Sequence, residues 1–357
     1  MPFYSDIRTI KDQAKRNRIV RGLKALREGF ADPEHGIPSK SADNTLLMAS
    51  WNIREFDAGS KASFRDEEAY YYIAEIISRF DIVAIQEVRR SLYPLQNLKR
   101  LLGSWWDFLV TDITLGAGGN SERMAFLYDR RKVDFTGLAA ELVLDKAIAI
   151  DEKIVQFARS PYIAGFRAGW AYFTLVTVHV YYGKGVPVDE RRLAEIQKLA
   201  ETLTKFAPDF SSARVYSPDG KPQRDNLLLL GDFNIFNRKD VTMEALTKAG
   251  FVVPDGLQSI PGSNVDQKKH YDQIAYHKKL AGLKPTKRAG VFNFFDHVYR
   301  ADQEADYAAE RAVKGGRSYK DWRTFRMSDH LPMWVEFDID DSNAYLDKLA
   351  GTGPAPP

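Results

Sequence analysis

The chain has 357 residues, 44% hydrophobic and 28% charged, with a formal net charge of +3. That balance belongs to a globular protein of one large domain or two ordinary ones, and no apolar run nears the roughly 18 residues of a membrane helix. The small charge names no polyanion as partner, and the lack of cysteine excludes disulfides and thiolate metal sites, leaving oxygen and imidazole as metal donors.

In chain order, Ile7, Ile10, Ala14, Leu23 and Leu26 alternate with Arg8, Lys11, Lys15, Arg16, Arg18, Arg21 and Lys24. This spacing predicts an amphipathic helix whose basic face is either the solvated side of a docked helix or a contact for a phosphate backbone. Charges run through the N-terminus with no apolar stretch among them, so the chain reads as cytoplasmic. The Pro-, Gly-, Ser- and Asp-rich residues 31–44 read as a linker.

From Thr45 the texture changes to β-branched and aromatic runs of strand length. Strands are predicted over 45–53, 81–88, 105–112, 123–129, 171–180, 226–235, 272–277 and 333–339. Helices fit Asp66–Arg79, Leu92–Leu102, Asp189–Phe206 and Thr242–Ala249. Two irregular stretches, 210–224 and 280–319, read as insertions that border a site. The expected organisation is an N-terminal helical extension over 1–44, one mixed α/β domain over 45–340 and a tail over 341–357.

Polar residues fall where the predicted strands end: Asn52, Glu87, His179, Asp232 with Asn234, Asp272, and Asp329 with His330. Strand ends of α/β sheets gather ligands because the scaffold there is rigid and the loops depart from it. Each residue alone also has an ordinary explanation as a turn, a solvated charge or a cap.

The strings SWNIREF, AIQEV, SERMAFLY, TVHV, LLGDFNIF, HYDQIAY and SDHLP occur in this order over about Leu46–Phe337. In order and spacing they resemble the endonuclease/exonuclease/phosphatase superfamily, on its deoxyribonuclease-like side. The resemblance implies a four-layer α/β/β/α sandwich and metal-dependent hydrolysis of phosphoesters. It implies that Glu87, with Asn52 and Asp329, holds Mg²⁺ or Mn²⁺, ions suited to oxygen ligands. It implies further that His330, paired with Asp272, activates or orients the attacking water. His179, supported by Glu122, would face the phosphate and protonate the leaving oxygen. Asp232 and Asn234 match the pair that aligns the nucleophile and bonds the phosphoryl oxygens, and Arg159 matches an arginine that faces phosphate.

The histidine of TVHV, together with SERMAFLY, ARSPY and HYDQI, is most similar to the deoxyribonuclease type, so the expected substrate is DNA or RNA. A phosphatase or phospholipid phosphodiesterase using the same site is the alternative, and an inactive binding member a second one. In the stretch VTDITLGAGGNSER, the arginine and tyrosine that would press on a minor groove are replaced by Ala117, Gly118 and Asn120. Arg89 with Arg90, Lys268 with Lys269, or Arg317, Lys320 and Arg323 are either substitute contacts or ordinary solvated charge. His35, His277 and His297 read as structural or surface residues, Asp296 as a turn or cap, and Tyr70, Tyr71 and Tyr72 as packing on the sheet.

Overall fold

The computed structural model describes residues 2–56, 65–115, 118–145, 148–150, 153–206, 226–278, 280–312 and 317–351. Four strands come first: β1 (Thr45–Phe56), β2 (Ile82–Val88), β3 (Trp106–Val110) and β4 (Arg123–Asp129). Then follow β5 (Asp134–Glu141), β6 (Ile148–Ile150), β7 (Lys153–Val155), β8 (Tyr162–Ala168), β9 (Ala171–His179) and β10 (Asn226–Asp232). The last four are β11 (Phe251–Val252), β12 (Asp272–His277), β13 (Lys284–Val291) and β14 (Met333–Asp338).

They form two six-stranded sheets, ordered β13-β14-β1-β2-β4-β3 and β11-β12-β10-β9-β8-β5, with β6 and β7 as a separate pair. In each sheet one central pair is parallel, β1 with β2 and β9 with β10, and every neighbour of those pairs is antiparallel. The sheets pack face to face through β1, β2, β9, β10 and β12. Helices connect the strands on the outside: α1 (Gln13–Phe30), α2 (Glu67–Ile77) and α3 (Tyr93–Leu102) on one side, α4 (Glu190–Phe206) and α5 (Val241–Lys248) on the other. This is the expected four-layer arrangement. A central strand is covered on both faces, which is why LLMASWNI and NLLLLGD are continuously buried instead of alternating. Between the sheets Gln86 donates to Thr177 Oγ1 at 2.9 Å and to Ser50 Oγ at 3.3 Å, a buried polar pin at the interface.

Helix α1 starts at Asp12, whose carboxylate accepts from the Lys15 amide at 3.1 Å. Ile19, Leu23, Leu26 and Phe30 are buried and join the main hydrophobic core, while Arg8, Lys11, Arg21 and Lys24 face solvent. Ala14, expected on the apolar face, is exposed. The helix packs on α2, where Tyr70, Tyr71 and Tyr72 are all buried, and Arg18 reaches Glu68 at 2.8 Å.

Several irregular stretches are more ordered than their composition implies. In 31–44, Ile37 is buried and Lys40 donates to Asp129 at 2.8 Å. Within 280–319, β13 pairs antiparallel with β14 as an edge strand; its polar residues misled because only one side of an edge strand is covered. The tail carries the helix Ser342–Leu349, and Tyr345 rests 5.3 Å from the Trp170 ring. Residues 210–224 and Ala117 lie outside the described residues. Among those described, no helix is long and apolar enough to cross a membrane.

Candidate active site at the strand ends

The two parallel pairs deliver their polar residues to one place. His179, Asp232 and Asp272 are cross-strand partners in a single row of β9, β10 and β12, so their side chains share a face. From the other sheet Asn52, on β1, donates Nδ2 to Asp232 Oδ2 at 2.9 Å and to Glu87 Oε1 at 3.2 Å.

Local backbone aims these groups. Register shifts interrupt β1 between Asn52 and Phe56 and β2 between Ile85 and Val88, and Glu55, Glu87 and Asn234 all have positive φ. Non-glycine residues in that region are costly, and such strain collects where a side chain must be turned toward a site. Gly231, at φ 139°, passes so close to β9 that a Cβ would lie 2.2 Å from the Val178 carbonyl oxygen; only glycine lets Asp232 sit beside His179.

Each imidazole is held from behind. Glu122 Oε2 lies 2.9 Å from His179 Nδ1, and Asp272 Oδ2 lies 2.8 Å from His330 Nδ1. The outer nitrogens converge: Asp232 Oδ2 is 3.5 Å from His179 Nε2 and 3.7 Å from His330 Nε2. Asp232 Oδ1 accepts the Asn234 amide at 2.9 Å, and Asn234 Nδ2 donates to the Val180 carbonyl at 2.8 Å. Ser328 fastens the loop that carries His330, donating to the Asn52 carbonyl at 2.6 Å and accepting the Arg54 and His330 amides at 3.0 and 3.1 Å.

The charges are unevenly placed. Burial opposes ionisation of Glu122, but His179 and Arg159 outweigh it and bring its pKa down to about 2. Burial raises Glu87, with only partial relief from His179, because Glu122 and Asp329 lie near it. Burial would depress His330, yet Asp272 and Asp232 overcome it and hold the imidazole well above its ordinary value.

Donor chemistry fits a divalent cation. One donor atom each from Glu87, Glu122 and His179 lie within 4.8 Å of one another, as do those of Asp232, Asp272 and His330. Carboxylate and amide oxygens suit a hard cation such as Mg²⁺ or Mn²⁺ better than imidazole nitrogen does, so the oxygens are the better ligands. Asn52 Oδ1, beside Glu87, is buried without a hydrogen-bond partner among the described residues. Asp329, half-exposed and 3.7 Å from Arg54 Nε, stands at the rim.

All the singled-out polar residues therefore meet, with two shifts of emphasis. Arg159 is turned inward: its Nε is 2.5 Å from Glu122 and its Nη1 donates to the His179 carbonyl at 3.3 Å. Arg89, read as either a substitute groove contact or ordinary solvated charge, belongs to the cluster itself, 3.4 Å from Glu122 and 3.7 Å from Glu55. Lys320 pairs with Asp266 at 2.8 Å and Arg317 with Asp321 at 3.7 Å. His297 stacks on Phe292 at 5.3 Å, and Asp296 ends a short 3₁₀ turn. The sequence reading missed Glu55 and Ser328, although both stand inside the strings SWNIREF and SDHLP.

Two facing mixed sheets with outer helices and this cluster at their strand ends define the deoxyribonuclease-like class of α/β proteins. The chain belongs to the Endonuclease/Exonuclease/phosphatase family, whose sequence model matches residues 49–266. Members of that family are generally hydrolases of phosphoester bonds and typically use divalent metals. Its fold is similar to that of an endonuclease/exonuclease/phosphatase family protein from Bacteroides thetaiotaomicron, with 18% identity over 83% of this chain and 98% of that one and a TM-score of 0.55. A mannosyl-6-phosphatase of the same species aligns with 17% identity over 82% and 99% of the two chains at a TM-score of 0.55. The catalytic domain of human Nocturnin aligns with 15% identity over 83% and 95% at 0.51. No curated protein matches the chain.

Proposed function

We propose that this protein is a Mg²⁺- or Mn²⁺-dependent phosphodiesterase that hydrolyses nucleic acid by in-line attack of water. The observation that carries the reading is the convergence of two carboxylate-backed imidazoles on Asp232 Oδ2, beside the Glu87–Asn52 pair. Phosphodiester hydrolysis needs a water deprotonated on one side of phosphorus and a leaving oxygen protonated on the other. One acid–base group cannot stand on both sides, and this site has two.

Glu87, Asn52 and Asp329 are the residues to hold the ion. When bound, it neutralises charge on the phosphoryl oxygens and orients the ester. Asp232 takes the proton of the attacking water, and His330, held in place by Asp272 at Nδ1, orients that water. Asn234 holds the Asp232 loop and offers its amide to a phosphoryl oxygen. His179, backed at Nδ1 by Glu122, gives a proton to the leaving oxygen, and Arg159 keeps Glu122 in place. Arg89, not the inward-turned Arg159, supplies the guanidinium for phosphate.

The test is a substrate panel of plasmid DNA, single-stranded DNA, RNA, inositol phosphates, sphingomyelin and bis-p-nitrophenyl phosphate, with Mg²⁺, Mn²⁺ or EDTA. Cleavage of a nucleic acid that EDTA abolishes supports the proposal. A second arm uses Glu87→Gln protein and an oligonucleotide: affinity should fall with salt at a slope of about −0.7 to −0.9 per contacted phosphate, and less steeply after Lys268 and Lys269 are changed to Glu. Hydrolysis of inositol phosphates or sphingomyelin, with no nucleic-acid binding at low salt, would transfer the site to a phosphatase or phospholipase role.

A further inference from the structure

Three adjacent strands of the second sheet carry, besides their polar residues, an aromatic ring close by in sequence. Tyr182 follows His179, Phe236 follows Asn234, and Tyr271 precedes Asp272. The rings meet. Tyr182 and Phe236 stack at 6.2 Å and 27°, Phe236 meets Tyr271 edge-on at 5.4 Å, and Tyr271 stacks on the His330 imidazole at 5.5 Å and 29°. The series ends at solvent: Tyr271 is buried, Phe236 half-buried and Tyr182 43% exposed.

Cations accompany the rings. Lys269 Nζ sits 3.9 Å from the Phe236 centroid and 5.3 Å from that of Tyr271. Arg192, fully buried, lies behind Phe236 at 5.0 Å and is tied to the carbonyls of Tyr182 and Pro187 at 2.8 and 2.7 Å. The loop that presents Tyr182 is therefore braced, and an exposed tyrosine on a braced loop loses little conformational freedom when it binds.

We propose that the Tyr182–Phe236–Tyr271 series is a base-stacking shelf that seats the nucleobase next to the scissile phosphate, with Lys269 meeting the adjoining phosphate. The inference rests on the nucleic-acid reading of the same site and makes it specific, since a sugar or inositol phosphate has no π-face to place on Tyr182. A stacked base is sequence-tolerant, because every base has such a face. Tyr271 touches both the shelf and His330, so a base seated there fixes the position of the neighbouring phosphorus relative to the imidazole.

The test compares adenosine 5′-monophosphate with ribose 5-phosphate, which keeps the sugar and phosphate and lacks the base. With Mg²⁺ present, calorimetry on the full chain should find the nucleotide bound more tightly by roughly 5- to 150-fold, the scale of one base on one aromatic ring. Tyr182→Ala should bring the ratio toward one and Tyr182→Phe should preserve it; Tyr182 is exposed, so neither change threatens the fold. Equal affinities in the wild type, or no measurable binding of either ligand, overturn the shelf, as does a ratio unchanged in Tyr182→Ala. Oligonucleotide cleavage is scored in parallel. If it persists while the ratio is one, the shelf falls and the nuclease reading stands; if only base-free phosphates are hydrolysed, the nuclease reading falls separately.

Discussion

His179 and His330 present their Nε2 atoms to the same oxygen, Asp232 Oδ2, at 3.5 and 3.7 Å. One ring comes from the end of β9 and the other from the loop before β14, and each has its own carboxylate at Nδ1. Two rings that differ in backing and in position are not redundant. His179→Ala and His330→Ala are each expected to lower turnover by about 10²–10⁴-fold, the range for general acid–base groups. Steady-state rates on the best substrate of the panel test this, with circular dichroism as the control for folding. A near-normal rate in either variant removes that residue from the mechanism.

Glu87→Gln preserves shape while deleting the charge that burial makes costly and a cation would relieve. Metal affinity measured by calorimetry should fall, and turnover with it, while the melting temperature without metal stays level or rises. Unchanged metal binding would place the ion elsewhere in the cluster.

The α1–α2 contact makes a stability prediction. Glu68 is completely buried and receives Arg18 Nη2 at 2.8 Å, Tyr307 Oη at 2.8 Å and Tyr72 Oη at 3.0 Å. Burial raises its pKa in spite of Arg18. Removing Arg18 leaves an uncompensated buried carboxyl, so Arg18→Ala should cost about 3 kcal/mol in urea unfolding. Lys24→Ala, on the exposed face of the same helix, should stay within about 0.5 kcal/mol. Equal costs would mean that the basic face of α1 matters as much as its docking.

Asp129 links stability to pH. It is buried, which opposes ionisation, but Arg131 at 2.5 Å and Lys40 at 2.8 Å outweigh burial and hold its carboxyl far below the usual carboxylate range. A depressed folded-state pKa means that the unfolded chain takes up the proton first. The contribution is complete above about pH 4 and is lost as pH falls through the folded value. Asp129→Asn should therefore destabilise by about 1–3 kcal/mol at neutral pH and by progressively less below pH 4, as read from denaturant midpoints across pH. A penalty independent of pH would contradict the ionic account.

The strands and helices with strong periodicity were legible in the sequence because their cause is local: an apolar run such as NLLLLGD can be satisfied only by burial on both faces. The polar residues at strand ends were legible for the complementary reason, since a charge costs free energy there unless something uses it. Edge elements were not. Only one side of β5 and β13 is covered, so their composition resembles that of loops. Residues 31–44 look like a linker until Ile37 and Lys40 find partners on α1 and β4. The sequence by itself singled out the polar side chains at the strand ends, without Glu55 or Ser328. Only the tertiary structure decided that Arg159 turns inward to Glu122, that Arg89 joins the cluster, and that Tyr182, Phe236 and Tyr271 touch. Those relations join strands far apart in the chain, and side-chain direction at a bulge or a left-handed residue depends on packing that no local pattern encodes.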